Sequence, residues 1–133
     1  MAKVIVSIDF GTSTTSYSYS FNNPNEIIAG SPPDTGERNP TEIIYNDLNG
    51  KILAFGLKCI EYLQNNELGQ LEYYFKDIKM SLYKGKETIE DQEGKQEHKT
   101  QKVISKILLY IKNHAIKTFA DQGYSFTSED IHL

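Results

Sequence analysis

Within the run Ile8-Asp9-Phe10-Gly11-Thr12-Ser13-Thr14-Thr15, a carboxylate, a glycine and a string of hydroxyls stand close enough to act together on one phosphorylated ligand. Gly11 lets the backbone approach a bulky anion without a Cβ in the way, and successive turn amides can converge as an anion-binding nest. The hydroxyls of Thr12, Ser13 and Thr14 add donors for β- and γ-phosphate oxygens. Asp9 alone would repel those phosphates, so its place beside the turn makes sense with a cation between them. Magnesium suits the role because it binds through one or two carboxylates, retained waters and substrate phosphates. A bare Asp-x-Gly-Thr also fits an ordinary β-turn in which Ser and Thr are merely strand formers. The longer pattern, with apolar alternation before it and strict alternation after it, weights the reading toward phosphate.

The elements that must position this turn are legible on both sides of it. Val4, Val6 and Ile8 alternate with Ile5, Ser7 and Asp9, which predicts a strand over residues 3–9. Thr15, Tyr17, Tyr19 and Phe21 alternate with serines, so residues 3–21 read as a β-hairpin with one greasy face. Residues 22–39 carry Pro24, Pro32, Pro33, Gly30 and Gly36 and read mostly as loop. A second hairpin pairs residues 41–45 with 51–55 through a turn ending Asn49-Gly50, the dipeptide that supplies positive φ angles. Leu57, Ile60, Tyr62 and Leu63 space a helix over residues 57–64, whereas residues 71–82 are aromatic-rich with no decided period. Residues 84–102 are almost devoid of apolar side chains and read as a mobile polar excursion, holding a small hairpin or no fixed structure. The clearest helix spans residues 102–120, with Ile104, Ile107, Leu108, Ile111, Ala115 and Phe119 on one stripe and Gly123 as the stop. Residues 130–133 look like a strand beginning.

Composition bounds the rest. With 133 residues, 38% hydrophobic and 24% charged, the chain has the balance of one globular unit. A net charge of -4 offers no electrostatic footprint for nucleic acid or an anionic membrane surface. Cys59 is the single cysteine, and no apolar run nears the roughly 20 residues that span a bilayer, so a cytoplasmic, reducing setting is expected, without membrane or nucleic-acid partners. Cys59 reads as a small buried side chain, because no histidine lies near it in sequence. His98, His114 and His132 lack metal-ligand spacing and read as surface or structural residues. Tyr62, Tyr73, Tyr74, Phe75 and Tyr83 are expected to pack in or on the core, with a partner-binding surface as the less favoured use.

At the hairpin the sequence resembles the phosphate-binding hairpin shared by actin, sugar kinases and the heat-shock protein 70 family. Val4 to Ser13 followed by Tyr17-Ser18-Tyr19-Ser20-Phe21 looks most like the divergent member-12 branch of the heat-shock 70 proteins. Asn39-Pro40-Thr41 leading into a strand, Phe55-Gly56 opening a helix, and Phe75-Lys76-Asp77-Ile78-Lys79-Met80-Ser81-Leu82 agree with that branch in order and approximate spacing. The resemblance implies an α/β fold, the incomplete N-terminal lobe of a ribonuclease-H-like, actin-like ATPase domain running over residues 1–133. It implies ATP or ADP with magnesium as ligands, Asp9 facing the metal, and Gly11, Thr12, Ser13 and Thr14 cradling phosphate. A protein client or partner is a further implication. The family's second phosphate loop and adenosine site would follow Leu133, so the chain alone is expected to bind weakly and not to turn over. One departure bears on catalysis: four positions after the helix-opening Gly56, where the family has a basic residue, stands Ile60. Lys58 is roughly 200° away around a helix. A non-catalytic interaction module and a sugar-kinase-like lobe are the competing readings.

Overall fold

The computed structural model describes residues 4–11, 14–20, 28–30, 39–121, 123 and 131–132. The predicted first hairpin is formed by β1 (Val4–Phe10) and β2 (Thr14–Ser20), antiparallel in a register that pairs Ile5 with Ser20 and Phe10 with Thr15. The period of two sorts the side chains. Val4, Val6, Thr15, Tyr17 and Tyr19 are buried, while Ile5, Ser7 and Asp9 are exposed on the opposite face. Within the stretch read as loop, β3 (Ile28–Gly30) pairs antiparallel with β2, and β4 (Asn39–Pro40) pairs with its start. These short strands lack a hydrophobic period of their own and take their conformation from the ladder that β2 offers, a tertiary effect that composition does not reveal. On the other side of β1 runs β10 (Ile131–His132), parallel to it, with Val4 opposite Ile131.

The second sheet is antiparallel, with β5 (Ile43–Asn46) between β6 (Ile52–Phe55) and β7 (Glu72–Phe75). Its turn follows the expected chemistry: the Gly50 amide donates to the Asn46 carbonyl over 2.9 Å, and Gly50 sits at φ 71°. One face of this sheet buries Ile43, Tyr45, Phe55, Tyr73 and Phe75. The other face buries Ile44, Ala54 and Cys59 beneath helix α1 (Lys58–Asn65). Burial raises the Cys59 thiol above its ordinary range, which matches an inert packing residue. The undecided stretch 71–82 contains two elements, β7 and the short helix α2 (Ile78–Tyr83), divided by Asp77 at φ 53°. An aspartate tolerates that left-handed conformation, and the change of direction there explains why no single period ran through the segment. Of the five aromatics grouped from sequence, Tyr83 lies outside the packing, at 85% exposure.

Residues 84–102 contain the antiparallel hairpin β8 (Thr88–Glu90) and β9 (Glu97–Lys99). A buried carboxylate organises its turn: Asp91 Oδ1 accepts the Lys95 and Gln96 amides at 2.8 and 2.9 Å, and Oδ2 accepts Glu93 at 3.3 Å. The hairpin is held on β7, with the Gln92 amide donating to the Tyr74 carbonyl over 2.8 Å and Lys95 Nζ 4.9 Å above the Tyr73 ring.

Helix α3 (Thr100–Asp121) starts two residues earlier than the periodicity predicted and is about 33 Å long. Its fully buried row is Val103, Ile107, Ile111, Ala115 and Phe119, a strict interval of four. Four residues turn a helix by about 400°, so the row follows an i+4 ridge and winds roughly 160° around the axis along its length. One end packs on the first sheet, where Phe119 meets Tyr19 edge-on at 4.8 Å and His114 bonds the Tyr17 hydroxyl at 2.9 Å. The middle stacks Tyr110 on Phe55 at 5.1 Å in the second sheet. The buried side chains of both sheets, α2, β8 and α3 form one continuous core.

His98 on β9 is buried among Tyr45, Tyr73 and Phe75. The Tyr45 hydroxyl is bonded to its Nδ1, and burial keeps that phenol protonated by raising it well above the usual range. The other ring nitrogen, Nε2, has no hydrogen-bond partner among the described residues and lies 3.9 Å from Asp47 Oδ2. Asp47 is itself paired with Lys102, the main reason its carboxyl titrates below the ordinary value. Burial outweighs Asp47 and Asp91 and lowers the His98 titration.

Two outcomes follow for stability. Ile111→Ala should lose about 2–5 kcal/mol in urea denaturation, whereas Leu109→Ala, at 45% exposure, should stay within about 0.5 kcal/mol. Because the folded state resists protonating His98, the unfolded chain takes up that proton first, and stability should fall as pH drops below the ordinary histidine value of 6.5. Denaturation midpoints between pH 8 and 5 should show that slope in the native protein, and His98→Phe should flatten it.

Candidate functional site

The hairpin turn stands at the carboxyl end of β1. Asp9 is exposed on the outward face of the strand, opposite Ser16. Gly11 follows, half-buried, and its amide donates to the Thr14 carbonyl over 2.9 Å, closing the hairpin across positions 12 and 13. Thr12 and Ser13 themselves lie outside the described residues. Thr14 opens β2 and pairs with Pro40 on β4. The structure thus brings Asp9, Gly11 and Thr14 to one end of one hairpin.

Gly11 is a glycine for a steric reason. Its backbone is not left-handed, but a Cβ built on it would collide with the Thr14 carbonyl oxygen. Sequence reasoning gave the missing Cβ to an incoming anion; the backbone of the turn itself makes the nearest approach. Since the Gly11 amide is committed to Thr14, it is not a donor toward a ligand.

A support that sequence reasoning missed sits beneath the turn. Thr41, buried just after β4, donates its hydroxyl to the Gly11 carbonyl over 3.0 Å, and its Oγ1 lies 2.6 Å from Oγ1 of buried Thr15. Thr41 has one hydroxyl proton, and Gly11 takes it. Thr15 must therefore donate to Thr41, giving a directed chain Thr15 to Thr41 to Gly11. The next residue extends the joint: the Glu42 carbonyl accepts the Gly56 amide at 3.0 Å, and its carboxylate accepts the Tyr74 hydroxyl. Burial and that carboxylate both raise the Tyr74 phenol. The available signal was a hydroxyl residue directly ahead of a hydrophobic strand, within the Asn39-Pro40-Thr41 triplet.

Among the described residues, no group of three or more His, Cys, Asp or Glu side chains is arranged to hold a metal ion. One exposed carboxylate beside a backbone turn is a donor set for a hard cation that keeps its waters and shares phosphate oxygens, and not for a protein-caged metal. A cleft of about 520 Å³ lies elsewhere, between α2 and the β8–β9 hairpin. It mixes Lys76 and Lys86 with Asp77, Glu87, Glu90 and Glu97, so it has no charge bias toward an anion. No helix among the described residues is long and apolar enough to cross a membrane. Ile60, at the position where the resemblance expects a basic residue, is 50% exposed on α1.

No protein-family model matches the chain. It is similar to human heat shock 70 kDa protein 12A, with 29% identity over 144 aligned residues that cover 96% of this chain and 21% of that protein. The mouse protein of the same name is 27% identical, again over 96% of this chain. Human heat shock 70 kDa protein 12B is 25% identical and matched over 20% of its length. The chain spans about a fifth of the length of these curated relatives. The similarity supports a distant kinship with part of a heat-shock-70-like protein, and the fold is a mixed α/β arrangement with small antiparallel sheets, consistent with part of a domain.

Gly11→Ala should open the turn, because the added methyl must displace the Thr14 carbonyl. The expected loss is about 1–3 kcal/mol in thermal or urea unfolding, with faster amide exchange at Gly11's position than in α3. An unchanged melt would show that the hairpin accommodates a side chain there.

Proposed function

We propose that this chain supplies the phosphate-binding hairpin of a magnesium-nucleotide site, within the starting part of a heat-shock-70-like lobe of the ribonuclease-H-like, actin-like class. The observation that carries the reading is one exposed carboxylate near the carboxyl end of β1, two residues before the tight turn at Gly11. β1 has a parallel neighbour on one edge and an antiparallel one on the other, and α/β sheets bind ligands outside the carboxyl ends of parallel strands. The distant similarity to heat shock 70 kDa protein 12A and 12B supports the same assignment.

In this reading Gly11 keeps the backbone low, the hydroxyls of Thr12, Ser13 and Thr14 and the remaining turn amides face phosphate oxygens, and Asp9 faces the cation through water. Asp9 would hold magnesium there, and the ion would supply charge neutralisation for the phosphates. Hydrolysis needs in-line positioning and charge neutralisation from several sides, and one hairpin offers a single side. Nucleotide binding without turnover is therefore the activity proposed for these 133 residues. The exposed Ile60 favours a second reading, a relative that keeps the fold to bind protein and has lost hydrolysis. The setting proposed for either reading is the cytoplasm.

Asp9→Asn separates the carboxylate's action through a cation from simple structural loss. Titrated with ATP, the variant should bind about tenfold more weakly than native protein in magnesium and within about twofold of it in EDTA. Equal losses in both buffers would remove Asp9 from the metal-facing role.

A further inference from the structure

We infer that Thr41 is the positioning residue of the phosphate turn: its hydroxyl, fed by Thr15, turns the Gly11 carbonyl inward and ties the turn to the second sheet. This rests on the phosphate reading of the hairpin. An anion-binding turn must keep backbone carbonyls away from the ligand, because each presents the negative end of its dipole. Gly11 is the residue where this matters, since its amide already closes the hairpin onto Thr14 and its carbonyl is the polar group left over.

That carbonyl is claimed from below by Thr41 Oγ1 at 3.0 Å. Thr41 lies two residues before β5, and the Glu42 between them accepts the Gly56 amide at the head of α1. The two hydroxyls, on Thr15 of β2 and Thr41 of the β4–β5 joint, are 0% and 2% exposed, so water cannot replace either one. Their order is fixed by proton count. Thr41 gives its only proton to Gly11, so Thr15 can serve Thr41 but cannot substitute for it. The two positions should therefore respond unequally to the loss of a hydroxyl. Thr41 directly follows Pro40, which pairs with Thr14, so the side-chain link adds to a backbone link already present at the turn.

Amide exchange and nucleotide titration on the full 133-residue chain test this with Thr41→Val, Thr41→Ser and Thr15→Val. Thr41→Val should speed exchange of the Gly11 amide by about tenfold relative to the Ile111 amide in the core of α3. Thr41→Ser, which restores the donor, should stay within about twofold of the native protein, and Thr15→Val should fall between them because the Thr41 to Gly11 bond survives. With ATP and magnesium, Thr41→Val should weaken binding by about fivefold or more and Thr41→Ser should not. If Gly11 and Ile111 exchange accelerate together in Thr41→Val, the residue acts on global stability and the inference fails. Faster Gly11 exchange with unchanged ATP affinity would overturn the positioning role. If the native chain binds no ATP, the phosphate reading falls by itself, and the exchange data alone decide whether Thr41 sets the Gly11 carbonyl.

Discussion

The fold depends on the single buried ridge of α3. Val103, Ile107, Ile111, Ala115 and Phe119 recur at an interval of four, so the contact surface of the helix winds as it rises, and its two ends can face differently oriented sheets. A stripe that averaged 3.6 residues would run straight and suit one flat partner. Here Phe119 lies on Tyr19 of the first sheet, Tyr110 on Phe55 of the second, and Lys106 Nζ is 5.7 Å from the Tyr45 ring. Neither small sheet could bury its inner face alone, and the helix supplies the second layer to both. The β1–β2 turn and the segment leading from Thr41 are also joined locally, through the pairing of Thr14 with Pro40 and the 3.0 Å bond from Thr41 to Gly11.

Buried polar groups divide into two kinds, and the difference is instructive. Asp91 is 4% exposed, yet its two carboxylate oxygens accept three backbone amides, so the desolvation of the charge is offset within its own hairpin. Thr15 and Thr41 are likewise completed by each other and by Gly11. His98 is completed on one side only. Its Nδ1 is held by Tyr45, while Nε2 faces Asp47 across 3.9 Å, too long for a hydrogen bond, and Asp47 is already engaged by Lys102. Satisfied groups define a conformation, and an unsatisfied nitrogen among three aromatic rings makes the docking of β9 sensitive to proton concentration.

Legibility followed the range of the interactions. The first hairpin, the Asn49-Gly50 turn and the long helix are local patterns, and the structure has them within a few residues of where alternation and spacing put them. The segment 71–82 resisted because a strand and a short helix meet at a left-handed Asp77, which erases any common period. β3 and β4 were invisible because their conformation is borrowed from β2. In residues 84–102 the polar composition was real, but Ile89, Asp91, His98 and Thr100 sit at the buried positions, and four such residues, three of them polar, do not register against a background of Lys, Glu and Gln. For the candidate site, the turn was legible from residue types, whereas Thr41 acts over a separation of 30 residues and needed coordinates.

The demand for glycine at position 11 has two possible sources, a ligand and the turn, and the structure identifies the second. That does not weaken a phosphate role, because the two demands are linked. A tight approach of Gly11 to Thr14 is compatible with an anion site, where dipoles already aimed lose little by reorganising when charge arrives. This turn combines a carbonyl held by a buried hydroxyl just after β4 with an exposed carboxylate two residues ahead of Gly11. The second hairpin, closed at Asn49-Gly50, is tied down as well, with the Asp47 amide donating to the Leu71 carbonyl and the Asp47 carboxylate paired with Lys102. The first hairpin is braced by Thr41 beneath it and by β4 alongside Thr14. Bracing is thus common to both hairpins, and the phosphate proposal rests on the residue types at the first turn and on its place at the carboxyl end of β1.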